Sequence, residues 1–408
     1  MWQLSVDQSN AFPSYLSLAQ VIPTEPRMLE LDSTQQDPGH SAKRILLFIH
    51  SMNGGGSERQ MSYLANELAN RYRVRLVTLD SMKSASYFID PRVECIGLGL
   101  TGSSTGTLSA IFSNRKRIRA LRDQIQDWNA NAVVSFCDSN NILALLATPK
   151  KVPVVISERS DPRKQPLSRF WEFLRRRTYP KCSLCVAQTK EVCDYFQETQ
   201  WVPHDRLRII PSAFVPPILD QDQIDRERAR RSPKVLIFVG RLSKEKGIDR
   251  LLQAWANLKH HHTDWRLRIV GDGAERSALQ QTSDQLGIAS TVEWALWSKD
   301  VWAELCAANA YCLVSRYEGF PQSLLEAMAT GLAVAVTDCS PAIRETITDL
   351  DNGIVISDDT QMVDCLDRLL SSQELRQSLG SRARERAKDF QWNQIASKWH
   401  AAIETAMR

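Results

Sequence analysis

Apolar residues occur along most of this chain in short unbroken runs, each followed by a stretch whose apolar positions recur every three or four residues. The first clear run is Arg44–His50 (RILLFIH), and similar ones follow at Val74–Leu79, Ala132–Phe136 and Val152–Ser157. A second series comprises Val235–Arg241, Leu267–Val270, Ala310–Val314, Ala333–Asp338 and Gly353–Ile356. Runs this short with no polar face belong to strands buried on both sides. Their alternation with helix-period segments predicts an α/β protein with doubly wound parallel sheets.

Punctuation divides the chain. At 408 residues it exceeds what one core usually supports, so two domains are expected. Pro216-Pro217 and the charged run from Asp220 to Lys234 read as the linker between residues 41–215 and 216–388. Residues 1–40 carry Pro13, Pro23, Pro26 and Pro38 without sustained periodicity and read as a poorly ordered leader. At the other end, residues 389–408 include a helix from about Gln391 to Ala406, with Trp392, Ile395, Trp399 and Ile403 on one packing face.

Composition narrows the class without choosing a function. Hydrophobic residues make up 43% and charged residues 24%, the balance of a soluble globular protein. No run approaches the ~18 apolar residues of a membrane span, and the opening residues lack the pattern of a secretory signal, so the expected location is cytoplasmic. A net charge of +4 is too small to point to nucleic acid. The nine cysteines have no repeating spacing, which argues against a disulfide framework. Cys182-x-x-Cys185 has no second pair and reads as part of a buried strand, not a zinc site.

Candidate chemistry gathers at strand ends. Ser315–Gly331 (SRYEGFPQSLLEAMATG) reads as a tight loop and short helix, with Pro321 first in the helix and Gly331 just past its end. Glu318 then sits on the loop and Glu326 one turn into the helix, while the unpaired N–H groups of Gln322 and Ser323 offer an anion site between them. Earlier, Asn53–Arg59 (NGGGSER) follows the first strand, where Gly55 and Gly56 allow close backbone approach and Ser57 can cap a helix. Gly240, Arg241 and Lys246 stand on a turn after Val235–Val239, a guanidinium and an ammonium placed to meet negative charge. Glu158 heads another strand-end segment, Glu158–Asp161. Gly271-Asp272-Gly273 suggests a dinucleotide loop, but Arg276 replaces the third glycine, and strand–helix packing explains the pair.

The frame E-G-F-P-x-x-x-x-E-A-M-A-x-G, with Glu318 and Glu326 at its two acids, resembles the signature of the family-4 retaining glycosyltransferases of GT-B fold. The resemblance runs from about residue 43 to the C-terminus. It implies two Rossmann-like domains facing across a cleft, with the final helix returning to the first domain. It also implies transfer of a hexosyl or N-acetylhexosaminyl group, with retained configuration, from a nucleoside diphosphate sugar, UDP favoured, without metal or cofactor. Glu318 and the adjoining Gly319 and Phe320 would meet the donor sugar, and Glu326 the ribose. Arg241 and Lys246, in the frame G-R-x-x-x-x-K-G, would clamp the diphosphate, and the Gly55-Gly56 loop would serve donor and acceptor.

The sequence departs from that pattern in three places. Glu158 stands where many relatives have a His facing the sugar, and is the spare carboxylate for a covalent route. Ser212 replaces a common Asn, and no Gly occurs near Leu296, in a stretch, Glu293–Trp297, that reads as irregular and often lines the base. The resemblance to transferases of lipid-linked or cell-surface glycans implies a glycan or lipid-linked acceptor. Arg163–Arg177, with six basic residues against one acid and with Phe170, Trp171, Phe173 and Leu174 among them, and a second basic run at Arg115–Arg119, would suit an anionic membrane on the inner face. A sugar-nucleotide epimerase of the same fold and a silent nucleotide-sugar-binding subunit stay open as alternatives.

Overall fold

The unbroken apolar runs are strands, all paired in parallel. In the computed structural model residues 42–408 are described, apart from 83–84, 103–106 and 299; the leader reading for residues 1–40 lies outside them. The first sheet contains β1 (Arg44–Ile49), β2 (Arg73–Thr78), β3 (Glu94–Gly97), β4 (Ala132–Phe136), β5 (Val154–Ser157), β6 (Leu184–Ala187) and β7 (Leu207–Ile209). Their order is β3-β2-β1-β4-β5-β6-β7. The second sheet contains β8 (Lys234–Val239), β9 (Trp265–Val270), β10 (Val292–Ala295), β11 (Ala310–Leu313), β12 (Ala333–Thr337) and β13 (Ile354–Ile356). Its order is β10-β9-β8-β11-β12-β13.

Each order reverses beside its first strand, between β1 and β4 and between β8 and β11. At such switch points the helices leave opposite faces and a crevice opens beyond the strands' C-terminal ends. The central strands β1, β4, β8 and β11 are almost wholly buried, as their apolar runs require. Separate apolar clusters pack the two faces of each sheet.

The final helix, Trp392–Ala406, lies on the first sheet, not the second. Ile395, Trp399, Ala402 and Ile403 share a cluster with Leu47, Met61 and Val134, and the Trp399 ring lies 5.4 Å from that of Phe136. Phe214 accepts from Trp392 N–H at 2.8 Å and donates to the Phe390 carbonyl at 3.0 Å, so the chain's two crossings between sheets run side by side.

Local structure departs from the sequence reading at several points. Glu293–Trp297 is not irregular throughout: Val292–Ala295 forms the edge strand β10, whose partial burial removed the expected apolar run. The charged run after Asp220 is a helix, Gln221–Arg230, capped by the Asp220 carboxylate and anchored by buried Ile224. Ser57 is not a cap, because the helix Gly56–Leu68 begins with Gly55 at its N-cap. Pro321 is likewise the N-cap of Gln322–Ala329, one position earlier than expected. Cys182 and Cys185 are buried in and beside β6, as a structural pair would be.

Candidate active site

The loop after β11 brings the two halves into backbone contact. A Cβ added at Gly319 would lie 2.3 Å from the Arg159 carbonyl oxygen beyond β5, a separation no side chain tolerates. The Tyr317 hydroxyl accepts from the Asp161 N–H at 2.7 Å across the same boundary. Glu318, 8% exposed, accepts from Ser315 Oγ at 2.6 Å and from Lys246 Nζ at 2.7 Å. The loop therefore ties one acid to the cation of a different segment.

The helix Gln322–Ala329 carries the second acid. As first-turn residues, Gln322 and Ser323 have N–H groups without intrahelical acceptors. Gly331 ends the element at φ +74°, the left-handed conformation expected just past a helix. Glu326 is 2% exposed and ion-paired with Arg59 from the helix Gly56–Leu68. Gln60 of that helix donates to Gln322 Oε1 at 3.2 Å. The Gly-rich segment after β1 thus faces the signature helix across the crevice.

The loop after β8 supplies the cations. Gly271, at φ +143°, lets β9 turn against it: a Cβ there would lie 2.0 Å from the Gly240 carbonyl oxygen. This close approach accounts for the Gly271-Asp272-Gly273 pair as packing, not dinucleotide chemistry. Arg241 is exposed and its side chain makes no hydrogen bond or ion pair with any described residue, so its fork is available to a ligand.

These segments enclose a cavity of about 400 Å³, within the ~300–1,000 Å³ range of small-molecule sites. Every residue nominated from the sequence lines it except Glu158. That carboxyl, 1% exposed, lies beneath the crevice, where it accepts from the Tyr179 hydroxyl and from Asn141 Nδ2 at 3.3 Å. Burial pushes Glu158 above the usual carboxylate range, against the pull of the nearby Arg175 guanidinium. The structure does not bring Glu158 to the reacting space; its neighbour Arg159 lines the cavity instead. The Arg159 guanidinium lies 5.0 Å from the Phe136 ring and donates to Ser212 Oγ at 2.7 Å.

Arg59, Tyr87 and Tyr317, none of them nominated individually from the sequence, line the same cavity, as does Trp297 from the stretch expected near the base. Arg59 and Arg159 were legible as the arginines closing G-G-S-E-R and S-E-R. Tyr87 lies in a segment with no periodic signal.

Matches to known proteins cover both halves. A model described as Glycosyltransferase Family 4 matches residues 54–214, and one described as Glycosyl transferases group 1 matches residues 220–386. The chain belongs to the group 1, family 4 glycosyltransferases. Among its relatives is a Campylobacter jejuni alpha-1,4-N-acetyl-D-galactosaminyltransferase named for an undecaprenol-PP-linked acceptor. It is 27% identical over 360 residues, spanning 87% of this chain and 97% of the relative. Of solved structures, Anabaena HepE in complex with UDP and glucose matches with TM-score 0.71 at 17% identity, over 88% of this chain and 99% of that one. WaaG, a glycosyltransferase of lipopolysaccharide biosynthesis, matches with TM-score 0.71 at 20% identity, over 88% and 99%. These likenesses place the fold of this glycosyltransferase as GT-B, two parallel-sheet Rossmann-like halves.

The electrostatics of the glycosyltransferase's cavity favour an anion. Arg59, Arg159, Arg241 and Lys246 line it with Glu245, Glu318 and Glu326. Arg59 and Lys246 are engaged by Glu326 and Glu318, which leaves Arg159 and Arg241 without a carboxylate partner among the described residues.

Proposed function

We propose that this enzyme transfers a hexosyl or N-acetylhexosaminyl group, with retained configuration, from a UDP-sugar to a glycan or lipid-linked acceptor. One observation carries the reading: Arg241, Lys246, Glu318 and Glu326, far apart in sequence, line a single cavity closed on its other side by the Gly55-Gly56 loop. Arg241, Lys246 and the first-turn amides at Gln322 and Ser323 would meet the diphosphate. Negative charge grows there as the sugar–phosphate bond breaks, so donors already in place stabilise the transition state more than the ground state. Glu318 would orient the sugar hydroxyls and Glu326 the ribose. UDP is favoured by the complex of the Anabaena neighbour, and a lipid-linked acceptor by the name of the Campylobacter relative. Glu158's buried position favours departure and attack on one face of the sugar over a covalent intermediate on that residue.

A lipid-linked acceptor would be met at a membrane, and the helix Arg169–Thr178 supports peripheral contact with an anionic inner face. Trp171 and Leu174 pack inward, whereas Phe170 and Phe173 are 54% and 53% exposed beside Arg169, Arg176 and Arg177. Arg175 does not belong to this surface: it is fully buried, 3.4 Å from Glu172 and 3.6 Å from Asp138. Among the described residues no helix is long and apolar enough to cross a membrane.

A thermal-shift screen of UDP-, GDP- and ADP-sugars tests the donor. A ligand at ~100 times its dissociation constant adds about 2.7 kcal/mol, so UDP-sugars should raise the melting temperature most. Selective stabilisation by GDP- or ADP-sugars would contradict the UDP assignment. Co-sedimentation with phosphatidylglycerol vesicles, against neutral ones, tests the membrane surface. Wild type should bind and an Arg176→Ser/Arg177→Ser variant should not.

A further inference from the structure

A second cavity, about 330 Å³, opens at the opposite end of the second sheet from the donor cleft. It lies where β8 and β12 begin, between the helices Gln221–Arg230 and Gln373–Ala387. Four cations line it, Arg228, Lys234, Arg376 and Arg384, against one carboxylate, Asp225. Nothing in the transfer reaction uses them.

Two of the guanidiniums are held mainly by neutral partners. Arg228 donates to the carbonyls of Leu305, Cys306 and Thr330, with Asp225 only at 3.8 Å, and Arg376 donates to the carbonyls of Leu369 and Leu370. Carbonyls satisfy N–H groups but carry no net charge, so the positive potential of this wall is poorly offset. Lys234 is paired with Asp264 at 2.9 Å. The Arg384 side chain makes no hydrogen bond or ion pair with any described residue, although Arg382 and Arg386 on the same helix hold Asp351 and Asp389. Burial pushes the Arg228 guanidinium down to about 10, against the pull of Cys306 and Asp225 and with a smaller push from Arg231 and Arg384.

The lining also says what the occupant is not. It contains no aromatic ring, and alanine is its largest apolar side chain, so neither a stacked base nor an acyl chain has a partner there. Ser381 and Gln377 add a hydroxyl and an amide beside the Arg384 fork, donors that suit a compact oxyanion. We propose that this cavity binds a small polyvalent phosphate without a base, orthophosphate or diphosphate, through Arg384, Ser381 and Gln377 in the field of Arg228 and Arg376.

Calorimetry on the full chain tests this, using sodium pyrophosphate and sodium phosphate in an Arg241→Ala/Lys246→Ala background that removes two of the donor cleft's four cations and so weakens its own anion binding. One equivalent of pyrophosphate or phosphate should still bind, and affinity should fall at least tenfold on adding either Arg384→Gln or Ser381→Asp. The two ligands distinguish a single phosphate from a diphosphate as the occupant. In the unmodified background, Arg384→Gln should leave UDP binding at the donor cleft unchanged, which also shows that the variant folds. No saturable binding in the double variant, or binding indifferent to both Arg384→Gln and Ser381→Asp, would overturn the proposal. UDP binding the double variant as tightly as pyrophosphate would overturn the exclusion of a base.

Discussion

Lys246 Nζ lies 2.7 Å from Glu318 Oε1, joining the loop after β8 to the loop after β11. Two segments 72 residues apart thereby present one ion pair to the donor cleft, with Ser315 Oγ as the second donor to the same carboxylate oxygen. Arg241, by contrast, makes no ion pair with any described residue.

The two cations should therefore separate in mutagenesis. Each alanine substitution should cost roughly 2–4 kcal/mol in transition-state stabilisation, mainly in kcat, because both meet charge that grows on the leaving group. Only Lys246→Ala should also lower the melting temperature, since it strips a nearly buried carboxylate of its counter-ion. Steady-state kinetics and thermal melts measure both effects. Losses confined to donor KM would contradict the clamp.

The pair Arg59–Glu326 makes a second prediction, because it couples the two halves. Glu326→Ala should destabilise the free enzyme by about 1–3 kcal/mol, leaving Arg59 without its counter-ion, and adding Arg59→Ala should recover part of that loss. A double-mutant cycle from urea unfolding would show a coupling energy of roughly 0.5–3 kcal/mol. Additive losses would mean that the contact contributes no stability.

Glu158 should be dispensable for chemistry. Its carboxyl is sealed beneath the crevice by Tyr179 and Asn141, so Glu158→Gln, which keeps the shape, should leave kcat within a few-fold of wild type. Loss on the scale of Glu318→Gln would restore it as a catalytic candidate.

How much of this was legible in the sequence depended on burial. The central strands were unbroken apolar runs because both faces are covered, whereas β3 and β10 sit at sheet edges, partly exposed, and left no run to find. The acids and cations of the cleft were legible because glycine- and proline-marked turns fix their places. Glu158 misled because strand-end position says that a residue is near the crevice, but not which side of the backbone its side chain takes. The Arg59–Glu326 pair could not be read at all, since it arises from how the halves face one another. The last helix was legible as an apolar stripe, and its seat on the first sheet came only from the resemblance.

That seat carries a pH dependence. Glu67 accepts from Trp392 Nε1 at 3.3 Å and lies 3.0 Å from His400 Nε2, both on the last helix. The hydrogen bond to His400, followed by that from Trp392, holds the Glu67 carboxyl below its usual value of 4.5 despite partial burial. A carboxylate depressed in the folded state adds stability that is present above the unfolded value and lost as pH falls through the folded one. Glu67→Gln should thus cost up to about 1 kcal/mol at pH 7, a figure reduced for its partial exposure, and nothing once pH is well below 4.5. Urea melts of both proteins from pH 7 to 3 measure it. A constant gap across that range would contradict the assignment.

The central claim is that one cavity holds a nucleoside diphosphate sugar with separate acids for its two ends. Calorimetry with UDP, paired with transfer assays from UDP-sugars, tests it most directly on wild type, Glu318→Ala and Glu326→Ala. Glu326→Ala should weaken UDP binding by at least tenfold, whereas Glu318→Ala should bind UDP like wild type and lose sugar transfer. Equal loss of UDP binding in both variants, or UDP binding untouched by Glu326→Ala, would contradict the account.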